Sequence, residues 1–246
     1  MIILAKDKTV KKNKIKIYSN EGFFTKLIKF IGFKFYDVYN MFKHGRKFKE
    51  YGITLFVNDQ GAGKTMAMTE EIERLRVTYP KALIVTNYGY IHQHKEFNDW
   101  NDFFDIRNGE DGVIFAIDEI QNEFHSNAWK NFPEELLGEI TQQRKQKVKI
   151  FATVQVWEDV VVQLRRQTLF VAECSTMAER WTRVRCYKKR DYEKLNNSSN
   201  AKVLKIYSRS FIQNAYLRSL FDTEKKIERM KRTRFQSKAE RGVVNG

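Results

Sequence analysis

Residues 58–65 read NDQGAGKT, and no other stretch restricts the fold as much. The octapeptide lies between the apolar run GITLFV and the segment MAMTEEIERLR. It matches the pattern G-x-x-x-x-G-K-[ST], except that Asn58 stands at the first glycine. A strand, a glycine-rich turn and a helix in that order form a loop whose backbone N–H groups converge on phosphate at the helix N-terminus. Asn58, Gly61, Ala62, Gly63, Lys64 and Thr65 are then the nucleotide-contacting residues. Lys64 reaches the β- and γ-phosphates, and Thr65 offers its hydroxyl to Mg²⁺. The first position needs a backbone that can turn, and Asn tolerates positive φ better than most residues. The substitution is therefore mild.

The surrounding chain alternates strands with helices. ALIVTNY, GVIFAIDE, VKIFATVQ and LFVAEC read as further apolar strands. MAMTEEIERLRVTYP reads as a helix closing at Pro80, FPEELLGEITQQRKQ as a helix with Pro133 in its first turn, and WEDVVVQLRRQ as helical. This rhythm predicts an α/β fold with a central, mainly parallel sheet covered on both faces. It breaks after Cys174. RWTRVRCYKKRDY alternates as an exposed strand does, NNSSN is a turn, KVLKIYSRSF pairs back as a hairpin, and DTEKKIERMKRTRFQSKAER is a charged helix.

Two more strand ends carry chemistry. VIFAIDE finishes on Asp118 and Glu119. A carboxylate at Asp118 holds Mg²⁺, largely through water, and Glu119 lies where it can orient or deprotonate the attacking water. KIFATVQ ends in Thr153 and Gln155, polar groups suited to the γ-phosphate or that water. Arg144, Arg165 and Arg166 are candidates for a guanidinium supplied by a neighbouring subunit. Arg144, immediately before the Thr153 strand, is preferred. His92 and His94 lack the companions of a metal site, and Cys174 and Cys186 read as free thiols on neighbouring strands. No serine or cysteine nucleophile stands with its base.

Charge divides the chain in three. Residues 1–50 carry 13 Lys and Arg against 4 Asp and Glu, residues 51–179 carry 13 against 20, and residues 180–246 carry 19 against 6. The expected organisation follows: a basic, aromatic N-terminal extension (1–50), a nucleotide-binding core (51–179) and a basic C-terminal extension (180–246). Basic ends suit a polyanion, either nucleic acid or an anionic membrane surface. In the first extension, Phe24, Leu27, Ile28, Ile31, Phe35, Val38 and Phe42 share one helical face, opposite Lys26, Lys29, Asp37 and Asn40. That amphipathic helix, with Gly32 as its weak point, suits either packing on the core or a neighbouring subunit, or lying on a membrane through 22–43. No run approaches the roughly 20 apolar residues of a spanning helix, and the start MIILAKDKTVKK lacks a signal peptide's apolar region. The expected location is the cytoplasm, including the inner face of its membrane.

NDQGAGKT, FAIDEIQNEF, TQQRKQ, ATVQVW and QLRRQ together resemble the zonula occludens toxin-like ATPases of phages and other mobile elements, over roughly residues 51–175. That family belongs with the FtsK–HerA group of DNA pumps, which includes phage packaging ATPases. The resemblance implies an additional-strand P-loop ATPase with the Thr153 strand between the Asp118 strand and the loop strand. It implies ATP and Mg²⁺ as cofactors, and Lys64, Thr65, Asp118, Glu119, Gln155 and Arg144 in the roles above. It implies a homo-oligomeric ring, pentameric or hexameric, acting on double-stranded DNA with a portal or channel protein. The chain departs from the family at Asn58, and it lacks the transmembrane helix that follows the ATPase domain in filamentous-phage relatives. The expected function is an ATP-driven DNA-translocating motor for phage genome packaging. The alternative is a membrane-peripheral ATPase that drives phage assembly, extrusion or conjugative-type DNA transfer.

Overall fold

The computed structural model describes residues 22–99, 101–123, 143–198 and 202–221. Residues 1–21 of the N-terminal extension, most of the helix expected over FPEELLGEITQQRKQ and the charged helix expected at the C-terminus lie outside them. The chain divides into two compact units, Met1–Arg46 and Lys47–Gly246. In the first unit, α1 (Phe23–His44) runs for 22 residues and ends at Gly45, whose φ of +79° breaks the helix. No helix among the described residues is long and apolar enough to cross a membrane.

The second unit is built on one sheet. β1 (Gly52–Val57), β2 (Leu83–Thr86), β3 (Lys95–Glu96), β4 (Val113–Ile117), β5 (Val148–Val154) and β6 (Thr168–Met177) are parallel, in the order β3-β2-β4-β5-β1-β6. β5 therefore separates β1 from β4, as the resemblance implied. Every residue of β1, β4 and β5 is buried, which is why these strands read as unbroken apolar runs. Alternation along the strands still sorts the core into two layers. Ile53, Leu55, Phe115, Ile150 and Val154 pack with Trp157 and Leu164 on one face. Phe56, Ile84, Ile114 and Phe151 pack on the other against Ala67, Met68 and Ile72 of α2 (Lys64–Thr78). Thr153 lies out of phase with Ile150, Ala152 and Val154, so it belongs to the α2 side, where Asp118 and Thr65 meet it.

Beyond β6 the sheet continues with antiparallel strands. β6 turns back through Ala178–Arg180 into β7 (Trp181–Lys188), and β7 pairs with β8 (Lys205–Ile212). Cys174 and Cys186 are buried free thiols on β6 and β7. Between β7 and β8 lies a helix the sequence reading missed, α3 (Lys189–Asn197). Its register is set by a Lys189–Glu193 ion pair of 3.7 Å and by Tyr192, which packs edge-on to Trp157 at 5.6 Å. The expected helix over WEDVVVQLRRQ is shorter than predicted. A 3₁₀ turn at Trp157–Asp159 precedes α4 (Val162–Gln167), because Trp157 and Val160 both turn into the core.

Two charged groups are tied into the packing. Lys149 is buried on the α2 side, where its Nζ donates to Thr54 Oγ1 at 2.8 Å and lies over the rings of Phe151 and Phe170. Arg209 of β8 ion-pairs with Glu70, and with Glu71 at 2.7 Å, joining the last strand to α2.

Candidate active site

The loop leaving β1 carries its strain at Asn58, whose φ is +140°. That backbone favours glycine, and asparagine takes it here while its side chain bonds on both sides. Asn58 Nδ2 donates to the Cys174 carbonyl at 2.7 Å, and Oδ1 accepts from the Asp59 amide at 2.9 Å. Glycine would turn as well but would not anchor the loop to β6. At the other end, Gly63 caps α2 with φ +81°. A Cβ there would lie 2.3 Å from Thr176 Oγ1, so the position admits glycine alone. Thr176 Oγ1 donates to the Ala62 carbonyl at 3.0 Å and lies 2.9 Å from Thr182 Oγ1, which accepts from Gln213 Nε2 at 2.8 Å. A chain of hydrogen bonds therefore runs from the loop 58–65 across β6 and β7 to the end of β8.

Lys64 is buried, and its Nζ donates to the carbonyls of Asn58 at 2.7 Å and Asp59 at 2.8 Å. Next to it, Thr65 Oγ1 donates to Asp118 Oδ1 at 2.8 Å. The same carboxylate oxygen accepts from Thr153 Oγ1 at 2.6 Å, and Thr153 Oγ1 accepts from the Glu119 amide at 2.8 Å. Thr153 thus ties the Asp118 carboxylate to the Glu119 backbone. Glu119 has a φ of +52°, and its Oε2 accepts from Asn122 Nδ2 at 2.6 Å. Asn87, at the end of β2, clamps the Asp118 peptide from the far side. The Asp118 amide donates to Asn87 Oδ1 at 2.7 Å, and Asn87 Nδ2 donates to the Asp118 carbonyl at 3.0 Å.

These contacts bring Lys64, Thr65, Asp118, Glu119 and Thr153 to one end of the sheet, with Gln155 directly after β5 at that same end. Arg144 is elsewhere. It is exposed in a single helical turn before β5, with its guanidinium 5.8 Å from the centre of the Tyr51 ring. Tyr51 precedes β1, so the six residues of β1, about 20 Å at the usual rise, separate Arg144 from its own loop. Arg165 and Arg166, in α4 before β6, also enter the sheet from that far end.

Asn87, Asn122, Thr176 and Thr182 were missed. The TNY that ends ALIVTNY has the same form as the DE and TVQ strand ends, and was the signal for Asn87. The others depend on which strands are neighbours. His94 Nδ1 accepts from the Ile84 amide at 3.0 Å, and His92 packs edge-on to Tyr90, so both serve the loop. No cluster of three His, Cys, Asp or Glu able to hold a metal exists among the described residues. A hydroxyl beside a carboxylate, Thr65 with Asp118, is nonetheless a donor pair that would suit an Mg²⁺ keeping most of its water.

No protein-family model matches the sequence, and no curated protein matches it. Solved structures do. The N-terminal domain of zonular occludens toxin from Neisseria meningitidis is similar at a TM-score of 0.52 and 16% identity, over 70% of this chain and 99% of that one. B204, the DNA-packaging ATPase of Sulfolobus turreted icosahedral virus, aligns at a TM-score of 0.43 and 10% identity, over 56% of this chain and 93% of its own. ATPases 2 and 3 of Thermomonospora curvata EccC align at 0.41 and 10%, over 58% of this chain and 36% of theirs. An α/β P-loop sheet with β5 between β1 and β4, matched along almost the whole of the toxin domain, gives this chain the fold of the zonular occludens toxin N-terminal domain.

Proposed function

We propose that the protein hydrolyses ATP with Mg²⁺ and spends the energy on moving DNA, as a ring of copies that packages a phage genome. The observation that carries the hydrolytic part is the Thr153 hydroxyl, which bonds Asp118 on one side and the Glu119 amide on the other. A loop that only bound nucleotide would need no second carboxylate held beside the first.

In this reading the loop amides and Lys64 bind the phosphates, and Lys64 exchanges the carbonyls of Asn58 and Asp59 for phosphate oxygens. Thr65 and Asp118 hold the metal, which neutralises charge on the β- and γ-phosphates when bound. Glu119 accepts the proton of the attacking water, and Gln155 orients the water or the γ-phosphate. Asn122 holds the Glu119 carboxylate until the water is in place. Arg144 serves a neighbouring copy's nucleotide, since its own loop lies beyond the length of β1.

DNA is favoured as the moved polymer by the excess of 19 basic over 6 acidic residues after residue 179. Several of these, including Arg180, Arg183, Lys188, Arg190 and Lys205, are exposed. The test is ATP turnover measured with and without double-stranded DNA across a salt series. Turnover should rise several-fold with DNA, and the increment should vanish as salt rises. Equal rates with and without DNA overturn the DNA reading, and no turnover under either condition overturns hydrolysis.

A further inference from the structure

None of the candidate active-site residues belongs to α1, which carries a distinctive surface of its own. Stepping about 100° per residue, Leu27, Val38, Ile31, Phe24, Phe35 and Ile28 fall within an arc of about 100°. All six are exposed, and Phe24, Ile28 and Phe35 are 76%, 70% and 71% exposed. A contiguous apolar face of this kind marks an interaction surface. The opposite arc carries Thr25, Lys26, Lys29, Asp37 and Asn40. Exposed Phe30, Phe33, Tyr36 and Tyr39 stand among these polar residues and on the shoulders of the apolar arc.

We propose that Phe23–His44 is an interfacial anchor that lies along an anionic lipid surface. Charge favours lipid as the occupant. The helix has four lysines against one aspartate, and Arg46, Lys47 and Lys49 follow it before Glu50. Such a cluster is attracted to acidic headgroups, while lysine stems reach past the apolar face to leave the ammonium in water. A second copy of the helix would bring the same positive charge against itself. Side-chain chemistry points the same way. A helix-pairing seam is narrow, whereas this face spans about 100° and carries Phe24 and Phe35, with Tyr39 on its shoulder, where rings sit at headgroup level. The helix cannot span, so its apolar arc is served by shallow insertion with the axis parallel to the surface. The anchor ends at Gly45, in the unit that closes at Arg46, whereas every candidate active-site residue belongs to the other unit.

The test is flotation of the full chain with vesicles of equal parts phosphatidylcholine and phosphatidylglycerol, and with phosphatidylcholine alone. Phe24→Glu with Phe35→Glu is compared with Thr25→Glu with Asn40→Glu, which adds the same charge to the polar arc. The wild type should float with the anionic vesicles and at least about tenfold less with the neutral ones. The apolar-arc pair should lose about tenfold or more of that binding, the polar-arc pair only a few-fold, and ATP turnover should be unchanged in both. Three results overturn the proposal. The first is failure of the wild type to float. The second is equal loss of binding in both pairs, which means adsorption through basic residues alone. The third is a change of solution mass in the apolar-arc pair without any vesicle binding, which makes the face a contact between copies.

Discussion

Glu119 joins two unusual properties, a left-handed backbone at φ +52° and a carboxylate tied to Asn122. Non-glycine residues in that region are uncommon and cluster at functional sites. Glu119→Gln keeps the shape and the Asn122 contact but removes the proton acceptor. Turnover should fall about 100-fold or more while nucleotide affinity, read by equilibrium titration, changes little. Turnover equal to wild type removes Glu119 as the base. A second residue tests the core. Burial pushes the Lys149 ammonium down to about 8, against the opposing attraction of Glu50 and Glu71. In the unfolded chain it titrates near its ordinary value, so between pH 8 and 10 the unfolded state binds a proton that the folded state has released. Stability contributed by this group therefore rises with pH across that window, and below pH 8 the folded state carries the whole cost of burying the charge, about 3 kcal/mol. Lys149→Met should raise unfolding stability at pH 7 by about 1–2 kcal/mol, since the lost bond to Thr54 offsets part of the gain. That advantage should shrink towards pH 10 in urea denaturation, and parallel pH profiles for the two proteins contradict this account. At this scale Lys64 and Thr65 were legible from the glycine-rich motif, and Asp118 and Thr153 because each lies at the end of an apolar run. The sequence did not show Asn87, whose bonds to the Asp118 peptide exist only because β2 pairs with β4.

Among the elements, the β6–β7 hairpin does more than extend the sheet. Thr176 and Thr182 project from neighbouring strands onto Gly63 and the Ala62 carbonyl, so the hairpin forms one wall of the loop 58–65. Replacing Thr176 by Val keeps the volume but removes the donor to Ala62. KM for ATP should rise about tenfold with a smaller change in kcat, because the lost bond positions the loop without touching reacting atoms. Thr176→Ser, which keeps the hydroxyl, should restore most of the affinity. Equal loss in Val and Ser variants means that Thr176 acts through packing alone. This relation was invisible in the sequence, which ended its reliable rhythm at Cys174. The alternation of RWTRVRCYKKRDY predicts an exposed strand, but the strand stops at Lys188, lies between β6 and β8, and gives way to α3, while KVLKIYSRSF contains most of its partner β8. α3 was missed because its first residues, KRDY, fall at the end of the segment whose alternation predicts that strand; in the structure Tyr192 packs against Trp157 and Tyr187. β1, β2, β4 and β5 were legible for the opposite reason, since burial on both faces leaves them few polar residues, whereas the exposed two-residue β3, Lys95–Glu96, gave no such signal.

For the whole molecule, the position of Arg144 yields the sharpest consequence of the proposed ring. A guanidinium at the entry end of β5 cannot serve the loop at the exit end of β1 in the same copy, but head-to-tail association can place it against the next copy's nucleotide. Arg144→Ala should then lower turnover by about 10³-fold, as loss of a trans-acting arginine does. Glu119→Gln protein should be inactive for a different reason. Mixing the two inactive proteins and allowing subunits to exchange creates interfaces where an intact Glu119 faces an intact Arg144. In an equal mixture about a quarter of the sites have both groups, so turnover should recover to about that fraction of wild type if the sites act independently. Recovery needs oligomers, so it should coincide with a rise in solution mass upon nucleotide addition. If the mixture stays as inactive as its components while the mass shows mixed oligomers, Arg144 does not complete a neighbour's site. Arg165 and Arg166, which enter the sheet from the same end, then become the residues to exchange in the same assay.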